Sequence, residues 1–179
     1  MSNHGSGEVC SADAGAGKVR IVFLDIDGVL NRYGGQFGPI LAHPDCVKHF
    51  NRIICDTDAK VVVISNWRHL VLNGHMDRLG FEQMLRSHGI HCSVLDVTGD
   101  NRDGLCVRGW QIRDWLSGRY DKIESWVVLE DSPDKLMLTM PIVVTNGSIG
   151  LTKSDAEQAI SLLMVNSHEH RIRTEAAEG

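Results

Sequence analysis

The chain has 179 residues, of which 42% are hydrophobic and 23% charged, and its formal net charge at pH 7 is -5. This length suits one domain and is too short for two, and the composition is that of an ordinary soluble globular domain. The negative net charge weighs against a protein that binds nucleic acid through bulk electrostatics, although a local basic surface on an acidic body stays compatible with it.

The five cysteines, at positions 10, 46, 55, 92 and 106, are odd in number and form no CxxC pair. We interpret them as reduced, buried thiols of a cytosolic protein. No apolar run approaches the length of a membrane span, and the N-terminus lacks the charged-then-apolar pattern of a signal peptide. The sequence therefore predicts a cytoplasmic location and no membrane association.

The first 18 residues are rich in Gly, Ser and Ala and predict a disordered leader. A strand is predicted over residues 19–25, and residues 31–43 form a glycine-containing loop or small flap. A helix then opens at Pro44, because proline is favoured at the first helical position and the apolar residues that follow share one helix face.

The rest of the chain alternates between predicted strands and helices. In chain order these are a strand over residues 60–64, a helix over 77–88, a strand over 90–95, a helix over 107–117, strands over 125–129 and 142–145, and a helix over 153–165. Five strands alternating with helices predict an α/β domain with a parallel sheet and right-handed crossovers. One domain over residues 19–166, followed by a flexible tail over 167–179, accounts for the whole pattern.

The first strand ends in two carboxylates, Asp25 and Asp27, followed at once by Gly28. The apolar run over residues 21–24 predicts a central strand that is buried on both faces, and ligands of such sheets bind at the carboxyl ends of the strands. Two acids this close repel each other unless a cation or a shared proton lies between them. A plain strand-to-turn transition also uses Asp and Gly, so the interpretation depends on partners elsewhere in the chain.

Two other predicted strands also end in polar residues, Ser65 with Asn66 and Glu130 with Asp131. These groups converge with the first strand's acids if the three strands are neighbours. A phosphoryl-transfer site needs a nucleophile, a cation that shields the phosphate charge, donors for the phosphate oxygens and an acid for the leaving group. A magnesium ion held by carboxylates supplies the cation, and Asp25 and Asp131 are its natural ligands.

The segment Asp25-Ile26-Asp27-Gly28-Val29 resembles the first motif, DxDG(V/T), of the haloacid dehalogenase (HAD) superfamily. Ser65 resembles the Ser/Thr of its second motif, and Glu130-Asp131 resembles its acidic fourth motif. Together the motifs cover residues 19–165 in the order and spacing of the superfamily. Further segments resemble the small HAD domains found in or near RNA-repair proteins: Ser65-Asn66-Trp67-Arg68, Gly109-Trp110-Gln111-Ile112 and Gly150-Leu151-Thr152.

The resemblance implies a three-layer Rossmann-like domain with strand order 5-4-1-2-3. It also implies that Asp25 attacks phosphorus to form an aspartyl-phosphate, while Asp27 protonates the leaving oxygen and later deprotonates water. Ser65 and the Asn66 amide would hold the phosphoryl oxygens, and Ile26 is a further substrate-binding candidate. The implied cofactor is Mg²⁺, whose candidate ligands are Asp25, Asp27 through its backbone carbonyl, Glu130 and Asp131.

The chain departs from the superfamily pattern in two motifs. The fourth motif has Glu130 where an aspartate or glycine is usual, so this longer side chain could reach the metal through water, and Asp131 is the preferred ligand. The third motif requires a Lys or Arg, yet no lysine lies in the region before the fourth predicted strand where the superfamily places this motif. Arg108 is our choice and Arg102 the second, because a guanidinium is always charged and binds oxygens bidentately. Lys135 lies beyond the fourth motif and is interpreted as a surface residue.

Several residues near the motifs have two possible roles. Trp67 either closes over a substrate or packs in the core, and Arg68 either contacts a substrate phosphate or pairs with an acid. The residues after the catalytic turn, among them Tyr33, either touch the leaving group or form flap structure. The tryptophans at positions 110, 115 and 126 follow helix and strand patterns and are predicted to be core residues.

The gaps over residues 31–59 and 96–106 are too short to hold a cap domain. The predicted site is therefore open, which suits a large phosphorylated partner such as a nucleic-acid end or a phosphoprotein. Alternatives are a small-molecule or nucleotide phosphatase or phosphotransferase of the same superfamily, and a binding module without turnover. The missing lysine permits the binding module, but the presence of both Asp25 and Asp27 opposes it. The sequence does not indicate an oligomeric state.

Overall fold

The protein is described by a computed structural model over residues 17–33, 42–100, 108–133, 136 and 139–165. The predicted leader, apart from residues 17 and 18, and the predicted tail lie outside these residues. Arg102 and Lys135 also lie outside them, so nothing is said of their positions.

The described residues form five strands, five α-helices and two 3₁₀ turns. In chain order they are β1 (Val19–Leu24), α1 (Pro44–Thr57), β2 (Lys60–Val63), a 3₁₀ turn (Asn66–Arg68), α2 (His69–Leu72), α3 (Arg78–Ser87), β3 (Val94–Val97), α4 (Arg108–Leu116), a second 3₁₀ turn (Tyr120–Lys122), β4 (Ile123–Glu130), β5 (Ile142–Val144) and α5 (Lys153–Met164).

All five strands run parallel in one sheet with the order β3-β2-β1-β4-β5. This order is the predicted 5-4-1-2-3 read from the other edge, so the predicted topology is confirmed. The last residue of β1, Leu24, pairs with Val63 of β2 and with Leu129 of β4. The residues that follow these three strands therefore lie side by side.

The sheet is buried because apolar side chains cover both of its faces. Val22 and Leu24 of β1 point to a large cluster shared with α1, α3 and α5. Phe23 points to the opposite face, where its ring meets those of Trp115 and Trp126 edge-on at 5.4 and 5.6 Å. Both faces of β1 are thus packed, as expected for a central strand of a parallel sheet.

Of the three tryptophans predicted to be core residues, Trp115 and Trp126 are buried, but Trp110 is 47% exposed. The prediction for Trp110 was wrong because α4 buries only one side. Trp110 lies on the outer side with Arg113, whose guanidinium stacks 5.1 Å from the indole centroid. An exposed cation–π pair of this kind stabilises the helix only modestly.

The third strand begins later than predicted. Instead of residues 90–95 it spans Val94–Val97. The backbone N–H of Ile90 still donates to Leu85 O in α3, so residues 90–93 connect the helix to the strand. At the start of α5, which begins at the predicted residue 153, the Thr152 side chain and Asp155 form a reciprocal capping box.

In the part of the chain that the structure describes, no second domain covers the carboxyl edge of the sheet. None of the described helices combines the length and the apolar composition that crossing a membrane requires. Cys46 and Cys92 are buried free thiols, as predicted, whereas Cys55 is exposed on α1. The two remaining cysteines lie outside the described residues.

Candidate active site

The carboxyl ends of β1, β2 and β4 meet at one edge of the sheet. The Asp25 N–H donates to Leu129 O at 3.0 Å, and the Ile64 N–H donates to Leu24 O at 2.9 Å. Asp25 is therefore flanked by the residues that follow β2 and by Glu130 at the end of β4. The polar strand ends that the sequence singled out lie together because of this register.

Asp25 is a buried carboxylate, only 3% exposed, and it contacts a buried cation. Arg108, the first residue of α4, donates through Nη1 to Asp25 Oδ2 at 3.0 Å and also to Glu130 Oε2. Arg108 is 7% exposed and Glu130 is fully buried. One guanidinium thus bridges the carboxylates at the ends of two neighbouring strands, which is the position that the sequence assigned to a third-motif cation.

The charges of Asp25, Glu130 and Arg108 do not balance. Burial and the negative charge of Asp25 raise the pKa of Glu130 to about 7, although Arg108 acts in the opposite direction. Burial lowers the pKa of Arg108, but Asp25 and Glu130 more than offset this effect and the net shift is upward. One guanidinium therefore faces more negative charge than it neutralises, and a further cation is favoured here.

Three acids converge closely enough to hold that cation. Asp25, Glu130 and Asp131 each offer a carboxylate oxygen, and these oxygens lie within 4.8 Å of one another. We call these three residues the carboxylate cluster. Asp25 Oδ1 is buried and, among the described residues, has no hydrogen-bond partner. An all-oxygen set with an unpartnered buried oxygen fits a hard divalent cation such as Mg²⁺.

Asp27 lies outside this cluster, and hydrogen bonds fix its side chain. Asn31 Nδ2 donates to Asp27 Oδ1 at 2.8 Å, and Trp67 Nε1 donates to Asp27 Oδ2 at 3.2 Å. Asn31 is in turn held by the Gly28 N–H, which donates to Asn31 Oδ1 at 2.8 Å. Each Asp27 oxygen therefore has one donor, and these two hydrogen bonds restrict the orientation of the carboxyl group. The coordination expected from the Asp27 carbonyl stays a prediction.

Trp67 belongs to the site rather than to the core alone. Its ring is half-buried against the large apolar cluster while its N–H donates to Asp27. The position of Trp67 depends on the 3₁₀ turn that follows β2. Ser65 caps the start of this turn, where its Oγ accepts the Trp67 N–H at 3.5 Å. The sequence offered the core and substrate closure as the two roles of Trp67, and neither includes this contact.

Ser65 and Asn66, the predicted phosphate-binding residues, follow β2 at the same edge. Ser65 is buried and Asn66 is exposed. Ile26 is fully buried, and its carbonyl accepts the N–H groups of Leu30, Val29 and, at the longest distance, Asn31. Only the backbone of Ile26 is therefore available to a substrate. The substrate roles of these three residues stay predictions.

Arg68 pairs with an acid, which is one of the two roles that the sequence analysis offered for it. It is 1% exposed, and its Nη1 donates to Ile64 O at 3.0 Å and to Ser65 O at 3.1 Å. Its Nη2 pairs with Asp100 at 3.2 Å. The guanidinium therefore satisfies the carbonyls at the end of β2 and holds the Ser65 turn. These contacts show its pairing with an acid, and its role in substrate binding stays a prediction.

Three residues that contact the site were missed or misplaced by the sequence analysis. Tyr33 hydrogen-bonds to Asp131, and burial followed by that contact raises the pKa of the tyrosine. The Tyr33 N–H donates to Gly147 O at 2.8 Å, and Thr145 Oγ1 donates to Gly28 O at 2.8 Å. Thr145 and Gly147 follow β5, which neighbours β4, so the polar run after that strand was the available signal.

Comparison with known proteins gives the family. Residues 21–156 match the family described as the HAD domain in Swiss Army Knife RNA repair proteins. The chain belongs to this family. A crystal structure of D,D-heptose 1.7-bisphosphate phosphatase from B. bronchiseptica, complexed with magnesium and phosphate, is 19% identical, with a TM-score of 0.48 over 80% of this chain and 98% of that chain. No curated protein matches the chain.

A cavity opens beside Asp27 in this HAD domain. Its volume is about 380 Å³, within the usual range for ligand pockets. Its lining residues come from the turn after β2 and from the residues around α2: Asp27, Asn66, Trp67, His69, Leu70, Asn73 and His75. We call it the Asp27 cavity. Asp27 thus lies between the carboxylate cluster and an open cavity.

Gly28 of the HAD domain closely approaches Asp131 of the carboxylate cluster. Its φ is +77°, and a Cβ at this position would lie 2.7 Å from the Asp131 carboxyl group. Gly28→Ala is expected to lower stability by about 1–2 kcal/mol through the left-handed backbone and also to displace Asp131. We therefore expect weaker Mg²⁺ binding, measured as a loss of the Mg²⁺-induced rise in Tm.

Gly118 provides the matched control for Gly28. It has a similar φ of +74°, but nothing lies within 4 Å of its Cβ position among the described residues. Gly118→Ala is expected to lose comparable backbone stability while keeping the full Mg²⁺-induced shift. Equal Mg²⁺ responses in the two variants would contradict the role given to the contact between Gly28 and Asp131.

Proposed function

We propose that this HAD domain is a Mg²⁺-dependent phosphomonoester hydrolase whose open site accepts the terminal phosphate of a nucleic acid. The observation that carries the proposal is the separation of two acids one residue apart. Asp25 is buried beside Arg108 within the carboxylate cluster, whereas Asp27 is held apart by Asn31 and Trp67 at the edge of a cavity. Two carboxylates in such different surroundings suit two different chemical roles.

The carboxylate cluster is the proposed magnesium site. Asp25, Glu130 and Asp131 would hold the ion, and the ion when bound shields the charge between the phosphate and the surrounding carboxylates. Glu130 is buried and paired with Arg108 beside Asp25, and this position supports a direct role for Glu130 near the metal. Tyr33 hydrogen-bonds to Asp131 and so restricts the orientation of that ligand.

The proposed reaction has two displacements at phosphorus. In the first, a carboxylate oxygen of Asp25 bonds to phosphorus, the ester P–O bond breaks, and the protonated Asp27 gives its proton to the departing oxygen. In the second, Asp27 takes a proton from water, the water oxygen bonds to phosphorus, and the bond from phosphorus to Asp25 breaks. The net change is an ester and water converted to an alcohol and inorganic phosphate. Arg108 offsets negative charge at Asp25 in both steps.

The substrate class rests on the openness of the site and on the family. No cap is present among the described residues, and the family is described from RNA repair proteins. The net charge of -5 weighs against broad binding to nucleic acid, so the proposal concerns a strand end rather than a duplex surface. We place the protein in the cytoplasm, in line with its unpaired thiols.

Release of inorganic phosphate tests the function directly. Aryl phosphate, 3′- and 5′-phosphorylated RNA and DNA oligonucleotides, a phosphopeptide and a sugar phosphate would be compared with Mg²⁺ and with EDTA. We expect EDTA-sensitive release that is fastest with an oligonucleotide end. Preference for the sugar phosphate or the phosphopeptide would contradict the substrate class. The absence of EDTA-sensitive release from every ester would favour the binding module, and transfer to an added alcohol would favour the phosphotransferase.

A further inference from the structure

The Asp27 cavity lies where the leaving group of the proposed reaction must be. Asp27 contributes to its wall, and in the proposed mechanism Asp27 gives its proton to the departing oxygen. Trp67 also lines the cavity and donates a hydrogen bond to Asp27 Oδ2 at 3.2 Å. A group attached to the departing oxygen therefore enters a space whose wall includes an indole ring.

The lining of the cavity selects the chemistry of that group. Trp67 and Leu70 give it apolar lining, and the amides of Asn66 and Asn73 offer donors and acceptors. The imidazoles of His69 and His75 also line it. Among the described residues, no Lys or Arg lines the cavity, so these residues offer no permanent cationic partner to a second phosphate of a sugar bisphosphate. An uncharged, planar group with polar edges satisfies both parts of this lining, and nucleobases stack on aromatic side chains in this way.

We propose that the Asp27 cavity is a subsite for the nucleoside that carries the scissile phosphate, with its base against Trp67 and its polar edges near the amides. This inference rests on the proposed function and names the part of the substrate that the cavity binds. A volume of about 380 Å³ is large enough for one nucleoside. The proposed recognition concerns the terminal nucleotide of the strand.

A matched pair of substrates tests the base alone. Ribose 5-phosphate and a nucleoside 5′-monophosphate carry the same phosphate on the same sugar carbon, and only the nucleotide has a base. We expect kcat/KM to be about 5- to 150-fold higher for the nucleotide, as base stacking on an aromatic side chain provides. Equal kcat/KM values for the two esters would overturn the inference while leaving the proposed hydrolase intact.

Two variants test whether the preference for the nucleotide over ribose 5-phosphate arises in the Asp27 cavity. Leu70→Ala removes part of the apolar wall, and Asn73→Ala removes an exposed amide whose loss does not disturb the core. Each is expected to reduce the ratio of the two kcat/KM values at least about 3-fold. Leu79→Ala, a Leu that is 61% exposed on α3, is the control and is expected to keep the wild-type ratio. An unchanged ratio in both cavity variants would overturn the inference.

Binding measured without turnover tests the nucleoside subsite separately from the proposed hydrolase activity. The Asp25→Asn protein would be titrated calorimetrically with the nucleotide and with ribose 5-phosphate in the presence of Mg²⁺. Tighter binding of the nucleotide, weakened by Asn73→Ala in the same background, supports the subsite even if the wild type hydrolyses no ester. Hydrolysis of both esters with equal affinity for both would remove the subsite and keep the hydrolase.

Discussion

Asp25→Asn is expected to reduce Mg²⁺-dependent phosphate release by at least about 10³-fold, as loss of a covalent nucleophile does in other enzymes. An amide in this position is a poor nucleophile at phosphorus, and it also removes one oxygen ligand from the carboxylate cluster. The fold should persist, because asparagine has the shape of aspartate and its oxygen still accepts from Arg108. Turnover, the Mg²⁺-induced rise in Tm and the circular dichroism spectrum measure these three effects.

Asp56→Asn is the control that separates the effect of Asp25→Asn on turnover from a general loss of negative charge. Asp56 is a solvent-exposed acid at the C-terminal end of α1, where it pairs with Arg52 at 3.4 Å. Asp56→Asn is expected to leave turnover unchanged and stability within about 1 kcal/mol of wild type, as for other surface ion pairs. Full activity of Asp25→Asn would remove the nucleophile from the mechanism.

The choice of leaving group distinguishes the roles of Asp25 and Asp27. A nitrophenolate departs without much help from an acid, whereas the alkoxide of a ribose needs a proton. Asp27→Asn should therefore lose about 10²- to 10⁴-fold with a nucleotide and clearly less with nitrophenyl phosphate. Asp25→Asn should lose activity equally with both, because the attack on phosphorus fails in each. Equal losses in Asp27→Asn would contradict its role as the acid.

Local sequence patterns were enough to predict a parallel α/β sheet with acids at one edge, whereas its strand order came from the resemblance to the HAD superfamily. Apolar runs mark the central strands, and the register of β1 with its neighbours then brings Asp25 next to Glu130. Arg108 lies 83 positions from Asp25 in sequence, yet a cationic requirement and the absence of a suitable lysine pointed to it. The contact between Arg108 and Asp25 depends on how α4 packs against the sheet.

The partners of Asp27 could not be predicted in the same way. Asn31 and Trp67 donate to its two oxygens, and both contacts depend on turn geometry rather than on periodicity. Tyr33 was expected at the leaving group or in a flap but contacts Asp131 instead. That contact requires a bare backbone at Gly147, where a Cβ would lie 2.3 Å from the Tyr33 ring. Such approaches between distant segments have no signature in a single sequence.

Arg108 is expected to have the largest effect on stability, because it is the cation between two buried carboxylates. Arg108→Met leaves Asp25 and Glu130 facing each other without compensation. We expect the free energy of unfolding in EDTA at pH 8 to fall by about 3–5 kcal/mol, the usual cost of removing one partner from a buried ion pair. Urea unfolding measures this loss. Arg52→Met, which breaks only exposed ion pairs, is the control and should cost at most about 1 kcal/mol.

Adding Glu130→Gln to Arg108→Met separates the structural role of the arginine from its chemical role. The double variant removes the buried charge that Arg108→Met left unpaired, so most of the lost stability should return. Turnover should not return, because the guanidinium that offsets charge at Asp25 is still absent; Glu130→Gln alone provides the reference for that comparison. If the double variant is as active as Glu130→Gln, the cation of the third motif lies elsewhere, and Arg102 becomes the residue to test.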